Sequence, residues 1–292
     1  MVVLACATPT RKRASAEAAG AQIDNLWYVP AQKCDGTPLL PTLYLIPTPL
    51  GAAPLGWVLP EATRQVAAQL THFVAERAKS ARAFLKAVDA ARPLSAIAIA
   101  ELNEHTPVAE LPGLLGPLRA GYDLGLLSEA GCPAVADPGA ELVRLAHGEG
   151  FAVKPLVGPS AVLLALMASG LPAQRFSFHG YLPAKTAERA EVLRQLEARA
   201  EAEGGAQLFI EAPYRNQALL TAILALCRSD TWLTVACDLT TEREWIVTRP
   251  VAAWRDHSVP ELNHRPALFL LWRAPHARSA TFRPRTTRRS VS

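Results

Sequence analysis

The sequence predicts an α/β protein, with a mostly parallel sheet in its first half and a mixed sheet in its second. Three observations carry this. From Leu43 onward, short apolar runs of strand type alternate with longer segments whose apolar residues recur at helical spacing. Gly158-Pro159-Ser160 interrupts the alternation. Beyond it the strands lie closer together and helices are fewer, the pattern of a mixed sheet.

Residues 1–40 mix Ala, Arg, Pro and Gly without sustained periodicity and read as a flexible N-terminal extension. In the first domain, 41–157, strands are expected at Leu43–Ile46, Phe73–Ala75, Ser95–Ala100, Leu124–Leu127 and Ala152–Val157. Between them, Pro60-Glu61 puts a proline and an acid where a helix begins, and Ala62, Val66, Ala67 and Leu70 continue its apolar face. Ala81, Phe84, Leu85 and Val88 mark a second helix. Leu142, Val143, Leu145 and Ala146 mark a third, ended near Gly148 and Gly150. This β-α-β-α order implies ligands at the carboxyl ends of the strands.

The domain junction falls at Gly158-Pro159-Ser160, where Ser160 is an N-cap for an apolar helix Ala161–Ser169 closed by Gly170. The second domain, 158–275, then reads as strands Phe176–Tyr181, Gln207–Ile210, Trp232–Cys237, Glu244–Thr248 and Ala267–Trp272. Its helices run from Thr186 to about Glu203 and from Asn216 to Leu226, and a basic tail, 276–292, follows.

Of 292 residues, half are apolar and 19% charged, which excludes disorder throughout. The net charge of +4 comes from the ends: residues 1–20 carry +2 and residues 276–292 carry +5, leaving the body, 21–275, at −3. The basic pI is therefore weak evidence for nucleic acid. The five cysteines, Cys6, Cys34, Cys132, Cys227 and Cys237, contain no C-x-x-C pair, so neither a disulfide framework nor a metal site is encoded, and a cytoplasmic location is expected. The longest apolar run, Ala161 to Leu171, is well short of the roughly 20 residues of a membrane helix. Met1–Ala7 precedes Arg11-Lys12-Arg13, the reverse of a signal peptide. No membrane association is expected.

The most unusual stretch is Ser128-Glu129-Ala130-Gly131-Cys132-Pro133-Ala134-Val135-Ala136-Asp137-Pro138-Gly139, between a buried strand and a helix start. Its glycines and small side chains let backbone groups approach a ligand while its prolines hold the shape. A backbone-lined pocket and an ordinary Gly/Pro-rich connection both fit that composition.

This loop resembles the S-D-A-G-T-P-x-x-S-D-P-G signature of the class III S-adenosylmethionine methyltransferases, the tetrapyrrole methylase family, in its ribosomal RNA small subunit methyltransferase I branch. Other blocks agree in the same order. Pro47-Thr48-Pro49-Leu50-Gly51 is similar to P-T-P-I-G, Pro155-Leu156-Val157-Gly158-Pro159-Ser160-Ala161 to P-L-P-G-P-S-A, and Ser169-Gly170-Leu171-Pro172 to S-G-L-P. Phe178-His179-Gly180-Tyr181-Leu182-Pro183 is similar to F-x-G-F-L-P, and Glu211-Ala212-Pro213-Tyr214-Arg215 to E-A-P-H-R. The resemblance spans roughly residues 43–272. It implies a homodimer of two-domain chains with S-adenosyl-L-methionine in the cleft between the domains. The implied cofactor contacts are Ser128, Ala130, Gly131, Cys132, Val135, Asp137, Ser160, Ala161, Ala212 and Pro213, with Pro266 and Ala267 as further candidates. The implied acceptor is a ribosomal RNA nucleotide, at its 2′-hydroxyl, on the small ribosomal subunit. Two alternatives stay open: methylation of a tetrapyrrole or other metabolite, and an inactive protein that senses the cofactor or docks on ribosomes.

Methyl transfer to an alcohol benefits from a base. Glu129, Asp137, Glu76, Glu104, His105 and Glu211 all follow expected strands, where such a group would serve, and each also suits a helix cap or a solvated surface. Arg215, with Tyr214, suits phosphate and base contacts or an ion pair with Glu211. Glu76, Arg77, Lys79 and Arg82 read as a solvated helix face. Departures from the family pattern are Glu129 for Asp, Cys132 for Thr, Ala52 for Asn, Glu76-Arg77-Ala78-Lys79 for E-D-T-R, and Glu101-Leu102-Asn103-Glu104-His105 for H-E-H-N. They fall mainly outside the cofactor loops, so the acceptor side is the more divergent.

Overall fold

A computed structural model of the protein describes residues 41–136 and 139–275. The extension 1–40, the tail 276–292 and Asp137 of the central loop lie outside the described residues.

The first half alternates strand and helix. Its elements are β1 (Thr42–Ile46), α1 (Leu55–Val58), α2 (Glu61–Gln69), β2 (His72–Ala75), α3 (Ala78–Ala87) and β3 (Ala98–Glu101). Two single-turn helices follow, α4 (Leu111–Leu114) and α5 (Gly116–Arg119), then β4 (Leu124–Leu127), α6 (Ala140–Gly148) and β5 (Ala152–Pro155). The five strands form one sheet in the order β3-β2-β4-β1-β5, with every pairing parallel rather than mostly so. Leu43, Val74, Leu124 and Leu126 pack against Leu111, Leu115 and Leu118 and against Leu142 and Ala146 of α6. The central strand β4 is buried along its whole length, which explains why it reads as a continuous apolar run rather than an alternating one.

The second half contains α7 (Ala161–Ser169), β6 (Phe176–Tyr181), α8 (Thr186–Glu203), β7 (Ala206–Ile210), α9 (Asn216–Leu226) and β8 (Trp232–Cys237). It ends with β9 (Trp245–Pro250), α10 (Val251–Arg255) and β10 (Ala267–Trp272). The strand order is β6-β7-β10-β8-β9, with β6 and β7 parallel and the other pairs antiparallel, so the sheet is mixed as its spacing predicts. Strand alternation divides β10 between two cores. Ala267, Phe269 and Leu271 face Leu196, Leu220 and Trp254 of the outer helices. Leu268 and Leu270 face Ala165 and Leu166 of α7. Both sheets lie within the same compact unit.

Local signals account for the ends of α7. Ser160 accepts a hydrogen bond from the Leu163 amide at 3.4 Å, and Gly170 closes the helix in the left-handed conformation at φ 69°. The expected strand Ser95–Ala100 is shorter and later than its composition suggests. Pro93 starts a 3₁₀ turn at Leu94–Ala96, and pairing begins only at Ala98. No helix among the described residues is long and apolar enough to cross a membrane.

Candidate active site

The carboxyl ends of the parallel strands are tied together by their own loops. After β1, Thr48 pairs with Gly131 of the β4 loop through two backbone hydrogen bonds of 3.0 Å each. The buried Thr48 hydroxyl also donates to the Ser128 carbonyl at 3.2 Å, and the Ser128 hydroxyl donates to the Gly131 carbonyl at 2.5 Å. On the other side, the Cys132 thiol donates to the Pro159 carbonyl at 3.4 Å, coupling the β4 loop to the Gly158-Pro159-Ser160 turn. That turn in turn packs on β1's loop, since a Cβ at Gly158 would lie 2.4 Å from Cβ of Pro47. Only glycine permits this approach.

The β4 loop carries an unusual backbone. Gly131 sits at φ 81°, and two alanines, Ala134 at φ 63° and Ala136 at φ 57°, are also left-handed. Each alanine there costs roughly 1–2 kcal/mol, strain of the kind that concentrates at ligand sites. Pro133 and the bridges to Thr48 and Pro159 hold it.

These loops form one wall of a hollow of about 260 Å³. Ala130, Gly131, Cys132, Val135, Ser160 and Ala161 line it together, six of the ten residues the family resemblance implied as cofactor contacts. The opposite wall comes from the second sheet: Phe178 and Tyr181 of β6, Ile210 of β7 and Leu268 of β10. Leu50, Ala136, Val162, Glu76 and Glu129 complete it. Glu129 also borders an apolar side hollow of about 160 Å³ between the β4 loop and α3, and there it accepts a hydrogen bond from the Ser80 hydroxyl at 2.9 Å.

Asp137 lies outside the described residues, and the other expected site residues that are described lie elsewhere. Ser128 is buried inside its turn, its hydroxyl spent on the Gly131 carbonyl, and it borders the side hollow instead. Ala212 and Pro213 continue from Ile210 but are not among the lining residues. Pro266 borders a separate depression with Leu50, Gly51 and Asp238. Ala267 points into the core on the helix-covered face, and strand alternation puts Leu268 into the hollow in its place.

Among the candidate catalytic groups, Glu129 and Glu76 line the hollow. Glu104 and His105 follow the edge strand β3, pair with each other at 3.6 Å and are about 85% exposed. Glu211 is fully buried and accepts hydrogen bonds from the Ala212 amide at 2.8 Å and from Arg215 Nε at 3.0 Å, with buried Arg189 3.8 Å from its second oxygen. The bond to Glu211 holds the Arg215 guanidinium above its usual pKa, and the same arginine stacks over the Tyr214 ring at 5.3 Å. This arrangement locks the turn after β7, the reading in which Arg215 pairs with Glu211, and leaves the second Glu211 oxygen buried without a hydrogen bond.

Residue patterns alone do not mark Leu50, Phe178, Tyr181, Ile210 and Leu268 as lining residues. Tyr181 reaches the hollow through an irregularity in β6, where Phe178 pairs with Leu208 but Tyr181 with Ile210, one residue out of step. Gly180, at φ 64° inside the strand, carries that bulge and is its one signal in the sequence. No group of three or more His, Cys, Asp or Glu side chains among the described residues is arranged to hold a metal ion.

Residues 42–253 match the family described as Tetrapyrrole (Corrin/Porphyrin) Methylases. The chain belongs to this family. Among its relatives, the ribosomal RNA small subunit methyltransferase I of Xylella fastidiosa is 34% identical over 230 residues, 79% of this chain and 80% of the relative. The protein of the same name from Escherichia coli O157:H7 is 32% identical over 227 residues, 73% of this chain and 71% of the relative. That from Mesorhizobium japonicum is 35% identical over 221 residues, 75% and 71% respectively. The solved methyltransferase CobJ superposes with a TM-score of 0.53 at 18% identity, covering 81% of this chain and 95% of its own, a likeness of fold. In this tetrapyrrole methylase the left-handed alanines, Ala134 and Ala136, fall in the same β4 loop whose composition is the most distinctive in the sequence.

Proposed function

We propose that this methyltransferase uses S-adenosyl-L-methionine to methylate a ribosomal RNA nucleotide, at a ribose 2′-hydroxyl. The carrying observation is that Ala130, Gly131, Cys132, Val135, Ser160 and Ala161, from two separate loops, line one hollow opposite the apolar side chains of the second sheet. The names of the relatives supply the acceptor class.

The hollow suits the cofactor chemically. Gly131 forms a cradle that a side chain would fill, because a Cβ there would lie 3.0 Å from Leu50 Cδ2 and 3.5 Å from the Pro159 carbonyl. Phe178, Ile210, Leu268 and Val135 offer apolar surface to a nucleoside, while Glu76 and Glu129 set negative charge around a cation. When bound, S-adenosylmethionine supplies a methyl group already activated by its positive sulfur.

The chain's task is then to align and deprotonate an acceptor. Holding two reactants in line contributes about 7–11 kcal/mol to such a displacement, and the rigid, cross-bonded loops provide that alignment. Glu129 and Glu76 are the carboxylates positioned to receive the hydroxyl proton. Glu129 is held by Ser80, which restricts its rotamers. Glu211, Arg189 and Arg215 act one step back, fixing the turn that follows Ile210. We place the chain in the cytoplasm, as its cysteine usage suggests, and as a homodimer, as the family resemblance implies, so sedimentation at micromolar protein should give about twice 31.4 kDa.

Calorimetric titration with S-adenosylmethionine, followed by mass-spectrometric comparison of ribosomal RNA nucleosides with and without the gene, tests the reading. Binding, together with one 2′-O-methylnucleoside that disappears and returns on complementation, supports it. No binding by folded protein removes the cofactor assignment, and unchanged nucleosides remove the acceptor.

A further inference from the structure

Helix α3 starts two residues after Glu76, and its inner face, Ser80, Ala81, Phe84 and Ala87, walls the side hollow at Glu129. Its outer face is different from that of other charged helices in the protein. Lys79, Arg82 and Lys86, at i, i+3 and i+7, make one exposed stripe, with exposed Arg77 at the N-cap. The helix contains no acidic residue.

On other helices the cations have local partners, acids in most cases and backbone carbonyls for Arg255 of α10. Arg64 pairs with Glu61 on α2, Arg144 with Glu141 on α6, and Arg194 with Glu191 and Arg199 with Glu203 on α8. On α3, only Arg77 has an acidic neighbour, Glu76 at 4.0 Å. Lys79, Arg82 and Lys86 make no ion pair among the described residues. Glu101 caps the helix through the Ala78 amide, and the next acid is Asp89, past the helix end.

This arrangement works against helix stability. Cations in the first turn oppose the helix dipole, and like charges three and four residues apart repel. In a body of net charge −3, a stripe of unpaired cations on the helix that walls the side hollow at Glu129 offers a polyanion a local point of attachment.

We propose that the outer face of α3, through Lys79, Arg82 and Lys86 with Arg77 at its start, binds the phosphate backbone of the RNA acceptor. The proposal rests on the RNA reading given above and adds the surface that reading lacks. Phosphates held on this face would lay the RNA along the helix whose inner face walls the hollow at Glu129. Such contacts fix position without selecting sequence.

The test is the triple variant K79Q/R82Q/K86Q, with R194Q/R199Q on α8 as the control for charge removal elsewhere. Methyl transfer to small ribosomal subunits is measured across a series of salt concentrations, and S-adenosylmethionine binding is measured by calorimetry. The expected result is unchanged cofactor affinity, KM for the subunit raised by roughly tenfold or more, and a salt slope shallower by about one for each phosphate no longer neutralised. The control should match the unmodified protein. A triple variant with unchanged KM and salt slope overturns the proposal. Should the unmodified protein bind cofactor yet neither bind nor methylate subunit RNA, the RNA reading itself fails and takes this surface with it.

Discussion

Thr48 and Gly131 exchange two backbone hydrogen bonds of 3.0 Å, joining the loops that follow β1 and β4. The bridge requires Gly131 at φ 81°, with Leu50 already at the distance where a Cβ would press on it. Gly131→Ala should therefore lower stability by about 1–2 kcal/mol. It should also weaken S-adenosylmethionine binding, because the same residue lines the hollow. Urea unfolding and calorimetry on one preparation measure the two effects. Unchanged affinity in a destabilised variant would separate the bridge from the ligand site.

Glu211 is a buried carboxylate between Arg215 and Arg189, and its own loop amide is bonded to it. Removing one member of a buried ion pair leaves the others uncompensated, at a cost of about 3–5 kcal/mol. Glu211→Gln should show a loss of that size in chemical denaturation. If the residue were instead a base acting on substrate, the same variant would keep its stability and lose turnover.

Cys132 lines the hollow, while Cys227 and Cys237 are buried in the second sheet's core. Burial raises all three thiol pKa values, to about 12 for Cys227 and about 11 for Cys237. Because the thiolate is the reactive form, alkylation of Cys132 should be slow at neutral pH, rise as the pH climbs toward its raised pKa and level off above it, with the other two protected until the protein unfolds. Saturating S-adenosylmethionine should slow modification of Cys132 alone. Peptide mapping after timed exposure to iodoacetamide reads this directly, and equal rates with and without cofactor would argue against the assigned pocket.

Much of this fold is legible in residue spacing. The β-α alternation up to β5, the Ser160 cap and the Gly170 stop are local signals, and apart from the late start of β3 each appears where the pattern puts it. The single-turn helices α4 and α5 are not legible, because four residues are too few to show helical spacing and Gly113 and Gly116 oppose helix formation. Leu115 and Leu118 hold that segment against the sheet through burial instead. The site is readable on the loop side, where small residues and prolines have a conspicuous composition. Its other wall is not: Ile210 and Leu268 look like ordinary core residues, and only the pairing of β7 with β10 brings them opposite the β4 loop. Glu211 and Arg215 are visible as a motif, but the burial of Glu211 depends on Arg189 arriving from α8.

The most direct test of the proposed activity is transfer of labelled methyl from S-adenosylmethionine to small ribosomal subunits taken from cells lacking the gene, followed by alkaline hydrolysis of the RNA. A 2′-O-methyl group protects the adjacent phosphodiester, so label is expected in an alkali-stable dinucleotide from a single position. Label found only in mononucleotides, or only in the small-molecule fraction, would contradict a ribose 2′-hydroxyl acceptor.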